Sequence, residues 1–115
     1  MPNSPVMSDP VLHILLAISD EPRHGYAIVQ EIEERTQGAV HLGTGTLYTA
    51  LKRLRADGLI EEMPEPVSAA AGRKRRTYGL TKQGHAMLAQ QTERLKVLFE
   101  HALQKSVVGD VRTVS

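Results

Sequence analysis

Thr44-Gly45-Thr46-Leu47-Tyr48-Thr49-Ala50-Leu51-Lys52-Arg53-Leu54-Arg55-Ala56-Asp57-Gly58 is the stretch on which the fold turns. Leu47, Ala50, Leu51 and Leu54 recur at helical spacing and define one apolar face. Thr46, Tyr48, Thr49, Lys52, Arg53 and Arg55 fall away from that face. Gly58 can stop the helix, because glycine takes the left-handed position after a last turn without steric cost. The outer surface therefore offers hydroxyls, a phenol, an ammonium and guanidinium groups. These are the donors that proteins use on phosphates and base edges. An ordinary basic surface helix has the same composition, so the neighbouring segments must decide.

Upstream, Ser8 or Asp9 can cap a helix with Pro10 at its first position, and the pattern runs over about residues 10–19. Val11, Leu12, Ile14, Leu15, Leu16, Ala17 and Ile18 make it apolar almost all the way round. Such a helix must be covered on every side, by another element or another subunit. A second helix is predicted over about residues 24–36, with Ile28, Val29 and Ile32 as its buried stripe and Gly38 as its stop. Residues 40–42 read as a very short strand or an extended linker.

Downstream, residues 59–63 and 75–80 read as two strands of a hairpin. The connection over residues 64–74 holds Pro64, Pro66, a small-residue tract and Gly72, and it cannot be regular throughout. It returns through Arg73, Lys74, Arg75 and Arg76. Consecutive cations repel in isolation, but against a phosphate backbone they displace counterions and gain affinity. Thr81 can cap a last helix that extends to about residue 105. Leu88, Leu95 and Ala102 recur there at heptad spacing, beside Leu98, Phe99 and Leu103, with Gln91 interrupting the stripe. This stripe outruns what a small domain needs. Part of it is expected to pack on its own domain and part on a second subunit, with Leu12, Leu15, Leu88, Leu95, Leu98, Phe99 and Ala102 as the dimerisation set. Residues 1–8 are expected to be disordered and residues 107–115 to form a flexible tail.

Composition is compatible with this reading and narrows it. The chain has 115 residues, 41% of them hydrophobic, which suits one compact domain. It has no Cys, so disulfide and thiol chemistry are excluded. The longest apolar run is broken by His13 and too short to span a bilayer, and the first residues lack a basic secretory head. A cytoplasmic protein without membrane contact is expected. The net charge is only +1, yet between Thr44 and Gly84 eight basic residues face four acidic ones, leaving a local excess of four. A nearly neutral chain with one basic face can still bind a polyanion there.

The order helix, helix, helix, hairpin, long helix predicts an α+β fold, mainly α with a small β-hairpin. It is the layout of a winged helix-turn-helix domain over residues 9–81, followed by a dimerisation helix over residues 82–106. In that layout the third helix enters the major groove of double-stranded DNA, and the wing follows the neighbouring backbone.

The chain also resembles a known family. His24-Gly25-Tyr26-Ala27-Ile28, Gly43-Thr44-Gly45-Thr46-Leu47-Tyr48, Leu51-Lys52-Arg53-Leu54, Asp57-Gly58-Leu59-Ile60, Arg76-Thr77-Tyr78 and Leu80-Thr81-Lys82-Gln83-Gly84, in this order and spacing, are similar to the PadR family of transcriptional regulators. The similarity covers about residues 9–103, and the single C-terminal helix looks like the smaller branch of the family. The resemblance implies a homodimeric bacterial or archaeal regulator, typically a repressor, often released from DNA by a small molecule. It places Gly45-Thr46-Leu47-Tyr48 at the opening of the recognition helix, so Thr44, Thr46, Tyr48, Thr49, Lys52 and Arg53 become the groove-facing candidates. Tyr26 matches a tyrosine near the DNA backbone, Gly58 matches the turn into the wing, and Arg73, Lys74, Arg75 and Arg76 match the basic wing. The chain departs from the family at Thr49, where proline is common. Threonine keeps its N–H and adds a hydroxyl, so the bases read can differ.

Some small relatives hold flat hydrophobic compounds between their subunits, stacked on a tryptophan. This chain has no Trp. Leu12, Leu15, Leu95, Leu98 and Phe99 could line such a seam for a small hydrophobic effector, or simply close as a dimer core. No cofactor is expected. The five histidines share no metal-ligand spacing, no serine stands in a nucleophile elbow, and Glu33-Glu34 and Glu61-Glu62 are adjacent carboxylates that diverge. An enzyme is therefore not expected. A winged-helix protein-interaction module is the rival reading, but such modules tend to lose the basic helix and wing that this chain carries.

Overall fold

The structure is a computed structural model and describes residues 7–63 and 76–106. The elements are α1 (Asp9–Ala17), β1 (Arg23–His24), α2 (Gly25–Arg35), α3 (Thr44–Ala56), β2 (Ile60–Met63), β3 (Thr77–Leu80) and α4 (Lys82–Gln104). Three strands form one antiparallel sheet in the order β1-β3-β2. The α+β fold expected from the sequence is therefore present, with one addition. Arg23 and His24 pair with Tyr78 and Thr77, a two-residue strand that the sequence analysis did not foresee. Two residues carry too little alternation to be seen as a strand. Residues 40–42 contain no strand, and Leu42 is instead buried as a single anchor between α2 and α3.

The helices sit where their apolar residues converge. Ile14 and Leu15 of α1, Ile28 and Ile32 of α2, and Leu47 and Leu51 of α3 are the largest fully buried side chains. Leu54, Leu59, Ile60, Tyr78 and Leu88 extend the same cluster to the sheet and to α4. Arg23 finishes α1 from outside: its Nε donates to the Ala17 carbonyl at 2.7 Å, where a cation favours the helix's negative end. Its Nη2 also lies 3.3 Å from a carboxylate oxygen of Asp20 and 3.3 Å from one of Glu21. The α2 N-terminus is capped by the His24 ring, whose Nδ1 accepts from the Ala27 N–H at 3.3 Å.

The junction between wing and last helix is the tightest place in the fold. The Thr81 hydroxyl donates to the Gly58 carbonyl at 2.7 Å and accepts from the Gly84 N–H at 3.0 Å. The Thr81 N–H donates to the Leu59 carbonyl at 3.1 Å. A Cβ on Gly84 would overlap that same Leu59 carbonyl oxygen and stand 3.1 Å from its carbon. Backbone cannot yield as a flexible side chain does, so only glycine lets α4 dock here.

Beyond this junction α4 changes character. Leu88 and Gln91 are buried, and the Gln91 side-chain carbonyl accepts from the Met7 N–H at 3.2 Å. The polar interruption of the stripe thus secures the start of the described chain. Leu95, Leu98 and Phe99 are then 48%, 63% and 53% exposed. Leu12 and Ala102 are half-buried. Leu15 is completely buried and Leu88 nearly so within their own domain. Leu15 has no surface left for a second subunit, which removes it from the dimerisation set and from the effector seam, whereas Leu88 keeps 7% of its surface. For Leu15 the error came from a helix, α1, that is apolar all round, because periodicity alone cannot rank its faces.

Gly84→Ala is expected to cost about 3 kcal/mol, as overpacking against a fixed backbone does. Gly38→Ala has open space around its Cβ and only a positive φ of 84° to oppose it, so it should cost about 1 kcal/mol. Urea midpoints of the two variants check the ranking, and equal losses would show that the junction can relax.

Candidate nucleic-acid interface

α3 fixes the interface by burying one side. Leu47, Leu51 and Leu54 are in the core. At 3.6 residues per turn, Thr49 and Lys52 then point most directly outward, and two flanks form beside them. Thr46, Ala50, Arg53 and Asp57 follow one flank, and Tyr48 and Arg55 the other. Thr44, Thr46, Tyr48, Thr49, Lys52, Arg53 and Arg55 are all exposed. The expected groove-facing residues thus share one exposed helix surface, while their flanks meet different neighbours.

On the first flank, Thr46, Thr49 and Arg53 border a cleft closed by the N-terminal turn of α1 and by Met87 of α4. On the second flank, the Tyr48 ring lies over Gly25. A Cβ there would overlap the phenol oxygen and stand 3.0 Å from Cζ. The contact joins the segments that carry Gly25 and Tyr48. It sets Tyr48 beside the first residue of α2, one residue from Tyr26, which is 67% exposed.

The wing base joins the same flank. Glu62 on β2 stands between two guanidinium groups: its Oε2 lies 3.0 Å from Arg76 Nε, and its Oε1 lies 3.6 Å from Arg55 Nη2. Glu62 pairs with Tyr78 across the sheet, so Arg76 is its diagonal neighbour on the same face. Tyr78 is buried, which pushes its phenol pKa up, while a hydrogen bond with Arg76 pulls the other way. Sequence reasoning treated Glu61 and Glu62 alike, as solvated surface, and left Arg55 out of the site. The hairpin register would have revealed the bridge, because it puts Glu62 two positions from Arg76. Of the expected wing cations, Arg76 is exposed and in place, whereas Arg73, Lys74 and Arg75 lie outside the described residues.

Among the described residues no three His, Cys, Asp or Glu side chains come together as metal ligands. His41 meets Glu33 on the exposed side of α2, and His24 caps α2. Among the described residues no helix is long and apolar enough to cross a membrane.

Comparison with known proteins agrees with the fold. The model of the transcriptional regulator PadR-like family matches residues 12–90. The chain is 36% identical over 92 residues to the transcriptional regulator Rv3488 of Mycobacterium tuberculosis, covering 80% of each protein. Among solved structures, a PadR-like transcription factor from Bacteroides fragilis superposes with a TM-score of 0.69 at 27% identity, over 83% of this chain and 87% of that one. Bacillus subtilis PadR in complex with operator DNA superposes with a TM-score of 0.64 at 20% identity, over 72% of this chain and 46% of that one. At that identity the likeness shows the fold alone.

The Gly25–Tyr48 contact has a direct test. Gly25→Ala should cost about 2 kcal/mol by crowding the ring, and in a Tyr48→Ala background less than half of that should remain. A double-mutant cycle on denaturant midpoints measures the coupling. A value of zero would mean the ring does not rest on Gly25.

Proposed function

The chain belongs to the PadR-like family of transcriptional regulators, and on that membership we propose that it is a cytoplasmic, homodimeric, sequence-specific DNA-binding repressor. Helix α3 lies in the major groove, and the basic wing of Arg73, Lys74, Arg75 and Arg76 follows the adjacent backbone. The observation that carries this reading is the exposed surface of α3, where Thr46, Thr49, Lys52 and Arg53 all stand clear of the core. Hydroxyls and guanidinium groups held on a rigid helix can read base edges, and Tyr26 and Thr44 at helix starts suit phosphate contacts. Two subunits would present two such helices, so the operator is a pseudo-palindrome with half-sites about one helical turn apart.

Residues 9–81 form the DNA-binding unit and residues 82–106 supply the dimer helix. What supports the dimer is the bare stripe of Leu95, Leu98 and Phe99, with Leu12 and Ala102 at its borders. Three large apolar side chains on one exposed helix end are the feature expected of an unfilled interface. A small hydrophobic effector held in this seam would bind between Leu12, Leu95, Leu98 and Phe99.

Binding to operator and to random duplex over a salt series tests the assignment. Neutralising Arg75 and Arg76 should weaken binding to every sequence and reduce the salt slope by about two per subunit. Changing Thr49 or Arg53 should alter the preferred sequence, at about 1–3 kcal/mol per base pair affected. Glu62→Gln should release Arg55 and Arg76 to the phosphates, so that affinity rises on all sequences and the slope steepens. Absent or salt-independent binding of the wild type would end the reading. Leu98→Asp with Phe99→Asp should give a folded monomer by sedimentation, and a dimer that persists would remove α4 from the interface.

A further inference from the structure

Glycine is, after proline, the poorest helix former, so a glycine inside a helix calls for a local reason. Gly25 and Gly84 have one in the groups packed on them. Gly58 has a positive φ of 78° and Gly38 one of 84°. Gly79 lies under the Met63 sulfur, 2.7 Å from where a Cβ would stand. Gly43 is the N-cap of α3, a position where glycine is common. Gly45, in the first turn of α3, has none of these reasons. Its φ is not positive, and a Cβ on it would meet nothing within 4 Å. Among the described glycines it is the one that the fold does not require.

The direction in which Gly45 faces supplies a reason from outside the chain. Leu47, Leu51 and Leu54 turn to the core. At 3.6 residues per turn, Gly45, Thr49, Lys52 and Ala56 fall in a strip about 60° wide on the opposite side. All four are exposed. The strip has a lysine two turns into the helix, a threonine one turn in, and no side chain at its N-terminal end. A surface laid along it therefore comes closest to the helix backbone at Gly45. Recognition helices place their N-terminal residues on base edges, so the bare end is also the end that goes deepest.

We propose that Gly45 sets the depth at which α3 enters the major groove, because base edges come into van der Waals contact with the helix backbone there. This deepens, and rests on, the reading of α3 as the DNA-contacting helix. A methyl group at Gly45 lifts the first turn and lengthens the contacts of Thr46 and Thr49 with base edges. Long cationic side chains can follow such a shift and keep their phosphates, whereas a short hydroxyl cannot keep its hydrogen bond. Gly45 has no group with which to read a base and acts through Thr46 and Thr49, as a positioning residue. Fold and recognition make opposite demands here: alanine suits the helix better and the groove worse.

Two probes separate these demands: a duplex that the wild-type chain selects from a randomised pool, and an unselected pool of the same length. Both are titrated at fixed salt by fluorescence anisotropy, and thermal unfolding is followed without DNA. Gly45→Ala should raise the thermal midpoint by about 3 °C. It should weaken the selected duplex about tenfold and the unselected pool by less than about twofold. Gly45→Leu, whose side chain has open space in the free chain, should stay folded and lose all preference between the probes. Wild-type affinity of Gly45→Ala for the selected duplex would overturn the proposal. So would a lowered thermal midpoint, which returns the glycine to the fold, or an equal loss on both probes, which moves the close contact to the phosphates. A wild type that selects no duplex ends the reading of α3 and the depth role with it. A wild type that selects, beside a Gly45→Ala that discriminates equally well, ends the depth role alone.

Discussion

Burial of Leu47, Leu51 and Leu54 on one side of α3 is the constraint from which the rest follows. A helix of this length has one continuous stripe available for a core, and three leucines at helical spacing fill it. They share one buried cluster with Ile14, Leu15, Ile28 and Ile32, and α3 packs directly on α2 and β2. Once that side is fixed, rotation of α3 about its axis is no longer free. Every side chain on its outside has a determined direction. Arginine and lysine on a solvated helix are ordinary, but arginine and lysine on a helix that cannot rotate form a surface of defined shape.

Glycines allow the other elements to approach this helix closely enough to use that shape. Gly84 brings the first turn of α4 onto the Leu59 carbonyl, directly after the left-handed Gly58 that ends the α3 turn. Thr81 ties the same two segments by its hydroxyl. The wing strands therefore leave and return at a fixed angle to α3. Gly25 does the corresponding work at the other end, where the Tyr48 ring rests against α2. Both glycines belong to short runs that recur in the family resemblance, and in both cases the physical need is room for another group rather than freedom of the glycine's own backbone.

How much of this was legible in the sequence varies with the kind of information each feature uses. The four helices and the hairpin were visible because periodicity and caps are local: Thr81 as N-cap and Gly58 as stop both appear as expected. β1 was not visible, because two residues hold no pattern and its pairing with Tyr78 and Thr77 is purely tertiary. The faces of α1 could not be ranked, and so Leu15 was placed at a subunit seam when it lies wholly inside. The Glu62 bridge was missed because adjacent glutamates look equivalent until strand register assigns them to opposite faces. Features set by distance along the chain were read, and features set by distance across it were not.

The split of α3 into two flanks has a consequence for how such a domain can be controlled. On the flank of Tyr48 and Arg55, contacts run to α2 and to the wing base, so a change there moves the framework that carries the wing. On the flank of Thr46 and Arg53, the neighbour is an open cleft rather than packed side chains. Side chains on that side are oriented by the helix alone. Control through a distant seam requires a second arrangement of the subunits and a free-energy difference between the two. The core is a single cluster, so a displacement at the wing base reaches α3 through packed neighbours.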